Sequence, residues 1–258
     1  MDRLDDFSRF DFAHEKRARP VYRKGIGPPV IVIHEMPGIT PEVARFGRRV
    51  EERGFAVFMP SLFGRDGKEA GTLAFLGAFA QVCISRQFAL FAENRPGPVV
   101  DWLRALARHV HAEIGGRGVG VVGMCLTGNF ALAMAVDPEV AAPVLAQPSL
   151  PLGKKRSHAV HAPPEALQAV RDRHSEDGLK VIGLRFEGDK TCPPERFATL
   201  RRELGPAFEG HELPDSAART GRAHPHSVLT TELIDREGEP TRAALDRVLG
   251  YFEERLKG

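Results

Sequence analysis

Three shortages in the sequence exclude whole classes of protein. Only three cysteines occur in 258 residues (Cys83, Cys125 and Cys192), and their spacing matches neither a disulfide framework nor a zinc motif. The 36 Lys and Arg residues nearly balance the 34 Asp and Glu residues, so the net charge of +2 creates no field that would attract nucleic acid. No apolar run approaches the roughly 20 residues that a membrane-spanning helix requires. We therefore expect a globular protein that binds neither nucleic acid nor membrane.

The amino terminus lacks the apolar core of a secretory signal. Its first 20 residues, MDRLDDFSRFDFAHEKRARP, are charged throughout. Together with the sparse cysteines, this predicts a cytoplasmic protein in a reducing compartment. The one locally basic stretch, GKKRSHAVH at 153–161, is interpreted as a solvated loop.

From residue 28 onward, apolar β-branched runs alternate with amphipathic stretches. Strands are predicted over 56–64, 118–124, 180–189 and 207–214. The segments 28–39 and 141–150 are each predicted to be a strand that runs into a loop. The predicted helices are 40–55, 98–112, 126–136, 162–178, 194–205 and 240–256. Thr40 followed by Pro41 is typical of a helix N-cap with proline in the first turn. The pattern predicts a single α/β domain over 1–258, with a mostly parallel sheet flanked by helices on both faces.

The segment GVGVVGMCLTGNFALAMA at 118–135 combines a strand, a sharp turn and a helix. Cys125 lies at the tip of the turn, between Gly123 and Gly128. A nucleophile elbow needs such small residues, because the helix starts tightly against the strand. The helix N-terminus would also favour a thiolate at Cys125. A buried structural cysteine is the alternative, since free cysteines are among the most buried residues.

Candidate partners for Cys125 follow it in the chain. Asp189 comes directly after a predicted strand, and His224 and His226 lie in a polar turn after the last predicted strand. A cysteine nucleophile needs a base, and the base needs an orienting group. The order nucleophile, acid, histidine is that of α/β-hydrolases.

At these motifs the sequence resembles the dienelactone hydrolase family, over roughly residues 28–255. The resemblance is carried by VIVIHEMPGI, GVGVVGMCLTG, FEGDKTCP and HPHSVL. It implies an α/β-hydrolase fold and a triad of Cys125, His226 and Asp189. His226 is preferred because the family's histidine is followed by Ser and then an apolar residue, with His224 as the fallback.

The resemblance also implies supporting roles at the site. Glu35 would lie beside the cysteine and take up its proton when substrate arrives. The backbone N–H groups of Met36 and Leu126 would form the oxyanion hole. Ser227, next to the preferred histidine, is expected to contact substrate.

The sequence departs from the family pattern at two positions. Thr127 stands where the elbow commonly has glycine, two residues after the cysteine. Thr230 stands where the family has an arginine that binds the substrate carboxylate, four residues after the histidine. Arg86 is a candidate substitute for that arginine or an ordinary solvated residue. Of the other cysteines, Cys83 is predicted to be packed, and Cys192 is the one rival to Cys125 as a reactive thiol.

The leading hypothesis is a hydrolase that cleaves an ester or lactone of a small molecule through a thioester, as a monomer or small homo-oligomer. No metal or organic cofactor is implied, because His109 and His111 lie two apart on a helix and do not face each other. The alternative is a non-catalytic member of the same fold. Such a protein would bind a small molecule or sense oxidants through Cys125.

Overall fold

A computed structural model describes residues 4–69, 71, 97–149, 160 and 162–258. Its strands are β1 Ser8–His14, β2 Arg17–Lys24, β3 Pro29–Ile33, β4 Ala56–Pro60, β5 Val119–Met124, β6 Val140–Ala146, β7 Val181–Phe186 and β8 Phe208–Leu213. Its helices are α1 Pro41–Glu52, α2 Pro98–Ile114, α3 Gly128–Met134, α4 Pro164–Asp177, α5 Pro194–Leu204 and α6 Pro240–Leu256. Within the described residues, the strands form one sheet in the order β1-β2-β4-β3-β5-β6-β7-β8.

The sheet is parallel from β4 to β8 and has helices on both faces, which confirms the predicted fold class. Its central strands are buried along their whole length, so they read as continuous apolar runs. Successive side chains along a strand pack into the hydrophobic cores on opposite faces of the sheet. Ile31 and Ile33 pack with residues of α2 to α5, whereas Val30 and Val32 pack with residues of α1 and α6.

The hairpin formed by β1 and β2 is absent from the sequence prediction, which began at residue 28. It pairs antiparallel with β4 and forms one edge of the sheet. Its inward positions carry Phe10, whose ring centroid is 6.4 Å from that of Phe58, and Phe12, which is 5.3 Å from Trp102. The outward positions carry charged residues. An edge strand of this kind therefore resembles a charged, unstructured terminus in the sequence.

Two predicted strands were expected to run into a loop, and they do so: the strand within 28–39 ends at Ile33, and the strand within 141–150 ends at Ala146. The strands predicted at 56–64 and 180–189 extended too far at their carboxyl ends, since they end at Pro60 and Phe186. The predicted helix cap at Thr40 is confirmed, since its hydroxyl accepts a hydrogen bond from the Val43 N–H at 3.3 Å.

The parallel strands end together at one edge of the sheet. The loops that leave this edge contain all the predicted site residues that the structure describes. None of the helices in the described ranges combines the length and apolar character needed to cross a bilayer.

Candidate active site

Cys125 occupies a strained turn between β5 and α3. Its φ of 58° lies in the left-handed region, which residues with a side chain seldom adopt. Gly123 makes the turn possible, because a Cβ at this position would lie 2.1 Å from the carbonyl oxygen of Thr127. The backbone therefore has the form of a nucleophile elbow, with a partly exposed cysteine at its tip.

Thr127 strengthens this elbow. Its buried hydroxyl accepts a hydrogen bond from the Met124 N–H at 2.9 Å and lies 2.9 Å from the carbonyl oxygen of Ile33, to which it can donate. The threonine thus links the elbow to the end of β3, where a glycine could only allow close packing.

Asp189 and His226 form a close pair beside the elbow. His226 Nδ1 donates to Asp189 Oδ2 at 2.6 Å. The other oxygen, Oδ1, accepts from the Thr191 N–H and hydroxyl at 2.8 Å each and from the Cys192 N–H at 3.1 Å. Asp189 is only 3% exposed, so these four donors take the place of the water molecules that would otherwise hydrate its carboxylate.

The pKa values of Asp189 and His226 are both shifted by their neighbours. Burial disfavours charge on Asp189, yet its pKa is lowered because the hydrogen bond and charge of His226 outweigh that penalty. Burial also opposes charge on His226, but the neighbouring Cys125 and the Asp189 carboxylate raise the pKa of His226 well above its usual value. Nε2 of His226 is buried and interacts with Cys125 without an aligned hydrogen bond to any described residue.

The two histidine candidates have different surroundings. His224 is exposed, and its Nδ1 lies 3.1 Å from the carbonyl oxygen of Gly188. His226 alone meets Asp189, and it keeps 26% of its side chain exposed. The geometry favours His226 as the imidazole that can serve Cys125.

Glu35 joins three loops at the carboxyl edge. One oxygen, Oε2, accepts from the Ser227 hydroxyl at 2.7 Å and from Gln147 Nε2 at 3.1 Å, and Oε1 accepts from the Thr230 hydroxyl. Only 5% of the residue is exposed. Within the described chain, no hydrogen bond connects Glu35 to Cys125.

His34 holds the backbone beneath Glu35. Its Nε2 accepts from the Leu62 N–H at 3.0 Å, so the neutral ring carries its proton on Nδ1 and donates to the carbonyl oxygen of Glu35 at 2.9 Å. Complete burial lowers the pKa of His34 to about 4, which keeps the ring neutral.

Sequence reasoning missed two site residues that follow β6. Gln147 adopts a φ of 38° and contacts Glu35, and the Ser149 hydroxyl lies 3.0 Å from the Cys125 sulfur. Both lie in the segment 141–150, which was predicted to be a strand that runs into a loop. The Pro148 between them, which interrupts the apolar run, was the available signal that the loop begins before it.

The expected oxyanion-hole residues flank the cysteine. Met36 lies in the loop after β3, and Leu126 directly follows Cys125. Neither backbone N–H donates a hydrogen bond to another described residue. Ser227 was expected to contact substrate, and in the structure its hydroxyl donates to Glu35.

Several predicted features lie outside the described residues, namely Arg86, Cys83 and most of the basic stretch at 153–161. In the part of the chain that is described, no cluster of three or more His, Cys, Asp or Glu residues could hold a metal ion.

The comparisons with known proteins agree with this fold. A search of curated proteins found no match. A Klebsiella pneumoniae protein described as a dienelactone hydrolase superposes with a TM-score of 0.62 at 18% identity, over 96% of this chain and 98% of the other. A dienelactone hydrolase-like promiscuous phosphotriesterase from metagenomic libraries superposes with a TM-score of 0.59 at 16% identity, over 97% and 98% of the two chains. At such identities the likeness establishes the α/β-hydrolase fold alone.

The family is established by sequence. The profile of the Dienelactone hydrolase family matches residues 17–181, which is well over half of the chain. That range contains β2 through the first residue of β7, including the loop after β3 and the elbow. This chain therefore belongs to the dienelactone hydrolase family.

Proposed function

We propose that this protein hydrolyses an ester or lactone of a small molecule, with Cys125 as nucleophile, His226 as base and Asp189 as the group that orients the histidine. The observation that carries the proposal is the 2.6 Å hydrogen bond between Asp189 and His226, in a loop that brings the imidazole to the cysteine at the elbow. A nucleophile, a base and an orienting acid in this arrangement support covalent catalysis.

The reaction has two halves. The Cys125 sulfur attacks the carbonyl carbon, while its proton is held by His226 Nε2. As the tetrahedral intermediate collapses, the carbon–oxygen bond breaks, and the imidazolium returns its proton to the departing alcohol. A water molecule, deprotonated by His226, then attacks the thioester and releases the acid and the free thiol.

The negative oxygen of each intermediate needs hydrogen-bond donors. The Met36 and Leu126 N–H groups are suited to this role, because they lie in the two loops beside Cys125 and donate to no other described residue. Each such donor is typically worth about 10²–10³ in rate.

The experiment is hydrolysis of a neutral chromogenic ester by the wild type and by Cys125→Ala, with intact-protein mass measurement for the acyl-enzyme. We expect turnover and an acyl adduct on Cys125 in the wild type, and neither in the variant. Turnover that survives the substitution would overturn the proposal. A folded wild type that releases no acid from any ester or lactone tested would favour the non-catalytic alternative.

A further inference from the structure

The two N–H groups assigned to the oxyanion hole belong to peptide groups whose carbonyl oxygens are both engaged. In a trans peptide the N–H points away from the C=O, so a hydrogen bond that fixes the oxygen also fixes the direction of the N–H. The Leu126 N–H shares its peptide group with the Cys125 carbonyl, whose oxygen accepts from the Ser149 N–H at 3.0 Å and from the Gly128 N–H. The main chain therefore orients this first donor.

The second donor, the Met36 N–H, depends on a side chain. Its peptide with Glu35 is trans, and the Glu35 carbonyl oxygen accepts from the Gly38 N–H and from His34 Nδ1, each at 2.9 Å. Among the described residues, His34 is the one side chain that bonds the carbonyl oxygen of either peptide. Rotation of the Glu35–Met36 peptide would break both hydrogen bonds and turn the Met36 N–H out of the hole.

His34 is itself held in one orientation and one tautomer. The ring is completely buried, its Nε2 accepts from the Leu62 N–H at 3.0 Å, and its centroid lies 4.5 Å from that of Phe63 in an edge-on contact. Burial lowers the pKa of His34 to about 4, so the ring is neutral and has a single N–H. Because Nε2 is used as an acceptor, that N–H must be on Nδ1 and face the Glu35 carbonyl.

The loop that holds His34 is anchored to the antiparallel part of the sheet. The Leu62 carbonyl oxygen accepts from Arg19 Nη1 at 2.7 Å, and the Ser61 N–H donates to the Pro20 carbonyl oxygen at 2.9 Å. Arg19 and Pro20 both lie on β2. The histidine thus connects the loop after β3 to a support that is fixed by a neighbouring strand.

We propose that His34 is a positioning residue of the oxyanion hole: its Nδ1–H holds the Glu35 carbonyl so that the Met36 N–H stays directed at the developing oxyanion beside Cys125. The inference rests on the proposed function and deepens it. His34 touches no reacting atom and exchanges no proton with substrate. It acts through the direction of one backbone N–H.

Asparagine and glutamine separate the roles of the two ring nitrogens. The amide nitrogen of asparagine is bonded to Cγ, as Nδ1 of histidine is, so His34→Asn keeps the donor to Glu35 and loses the acceptor for Leu62. The amide oxygen of glutamine lies one bond further out, as Nε2 does, so His34→Gln keeps the acceptor and loses the donor. Each variant breaks one of the two hydrogen bonds, and a merely structural role would make their effects on activity similar.

The test compares kcat and KM for a neutral chromogenic ester. In His34→Gln we expect kcat to fall about tenfold, since the Gly38 N–H still holds the carbonyl, within the 10²–10³ that loss of a whole donor costs. KM should stay within about twofold, because the oxyanion forms only in the transition state. His34→Asn should keep kcat within about twofold of the wild type.

His174→Gln is the matched control. Its Nδ1 likewise lies 2.8 Å from a backbone carbonyl oxygen, that of Leu179, but at the opposite edge of the sheet, on α4. This variant should leave kcat unchanged. Urea denaturation establishes that each variant is folded.

Alkylation of Cys125 by iodoacetamide shows whether the elbow is intact, because this reaction forms no oxyanion. The rate should stay within about twofold of the wild type in both His34 variants. Equal losses of kcat in the folded Asn and Gln variants would overturn the inference. A loss of alkylation rate as large as the loss of kcat would overturn it as well, since His34 would then act on the cysteine.

A measurement on the wild type does not depend on the folding of any variant. The ¹⁵N resonances of the His34 ring near neutral pH should show a protonated Nδ1 and an unprotonated Nε2, and a proton on Nε2 would overturn the inference. A wild type that hydrolyses no ester would refute the proposed function, and the inference with it. In an active wild type, the outcomes above bear on the inference alone.

Discussion

Replacing Asp189 by Asn tests how the acid orients the histidine, because the surroundings determine which way the amide must point. Oδ1 accepts three hydrogen bonds from Thr191 and Cys192, and only an oxygen can take that place. The NH₂ group must then face His226 Nδ1, where Oδ2 now lies at 2.6 Å. The neutral imidazole would carry its proton on Nε2 and could not accept one from Cys125.

The reverse orientation of the amide would leave the N–H groups of Thr191 and Cys192 without an acceptor, whereas the Thr191 hydroxyl could turn and accept from the amide. At about 1 kcal/mol for each N–H group, this costs about 2 kcal/mol and limits the productive orientation to about 3 per cent of molecules. The lost carboxylate charge adds to this. We therefore expect kcat/KM for a neutral ester to fall by at least about 10², and toward the 10⁴ known for the equivalent change in a serine protease.

The assay compares kcat/KM across pH for the wild type, Asp189→Asn and the control Asp172→Asn, whose carboxylate lies on the exposed surface of α4. Urea denaturation establishes that each variant is folded. The control should retain full activity. Retention of more than about one tenth of the wild-type kcat/KM by a folded Asp189→Asn enzyme would refute the orientation argument.

Three further predictions concern the elbow, the buried histidine and the substrate. Gly123→Ala should lower the free energy of unfolding by more than about 3 kcal/mol, because the new Cβ would lie 2.1 Å from the carbonyl oxygen of Thr127. The control Gly250→Ala lies in open space on α6 and should raise the free energy of unfolding by about 0.5–1 kcal/mol. Equal effects of the two substitutions in urea denaturation would contradict this prediction. The pKa of His34 is about 4 in the folded protein and about 6.5 in the unfolded chain. As the pH falls, the unfolded chain therefore takes up a proton first. The free energy of unfolding should decrease by about 3 kcal/mol between about pH 6.5 and 4. Denaturation at several pH values should show this slope, and His34→Gln should remove most of it. Because the Thr230 hydroxyl donates to Glu35 and offers no cation, we expect no strong preference for a carboxylate-bearing ester over its neutral analogue, and a large preference in kcat/KM would show that another residue binds the anion.

The parallel part of the fold was predictable from the sequence. Strands β3 to β7 are buried throughout between two layers of helices, so both of their faces are apolar and the sequence shows them as apolar runs. The elbow could also be predicted, because its signal is local. The chain approaches itself so closely at Gly123 that a residue with a side chain does not fit there. The order of Cys125, Asp189 and a later histidine then indicated the site, since consecutive parallel strands deliver their carboxyl ends to one edge.

Other features depended on contacts between distant segments. The β1–β2 hairpin is stabilised by Phe10 and Phe12 against residues far along the chain, while its exposed positions are charged. The choice between His226 and His224 depends on the path of the loop after β8. This path brings His226 to Asp189 and His224 to Gly188, and the sequence around the two histidines does not show it.

The surroundings of the sulfur depended on tertiary structure most of all. Ser149 meets Cys125 because β5 and β6 are parallel neighbours with Met124 opposite Ala146, so the residues that follow the two strands lie side by side. Glu35, Ser227 and Thr230 meet because β3 and the loop after β8 converge at the same edge, across nearly 200 residues of chain. Hydrogen bonds between polar side chains leave no periodic pattern in a sequence. Residue types and their order could therefore indicate the candidate site, but only the folded chain could assign a partner to each of its members.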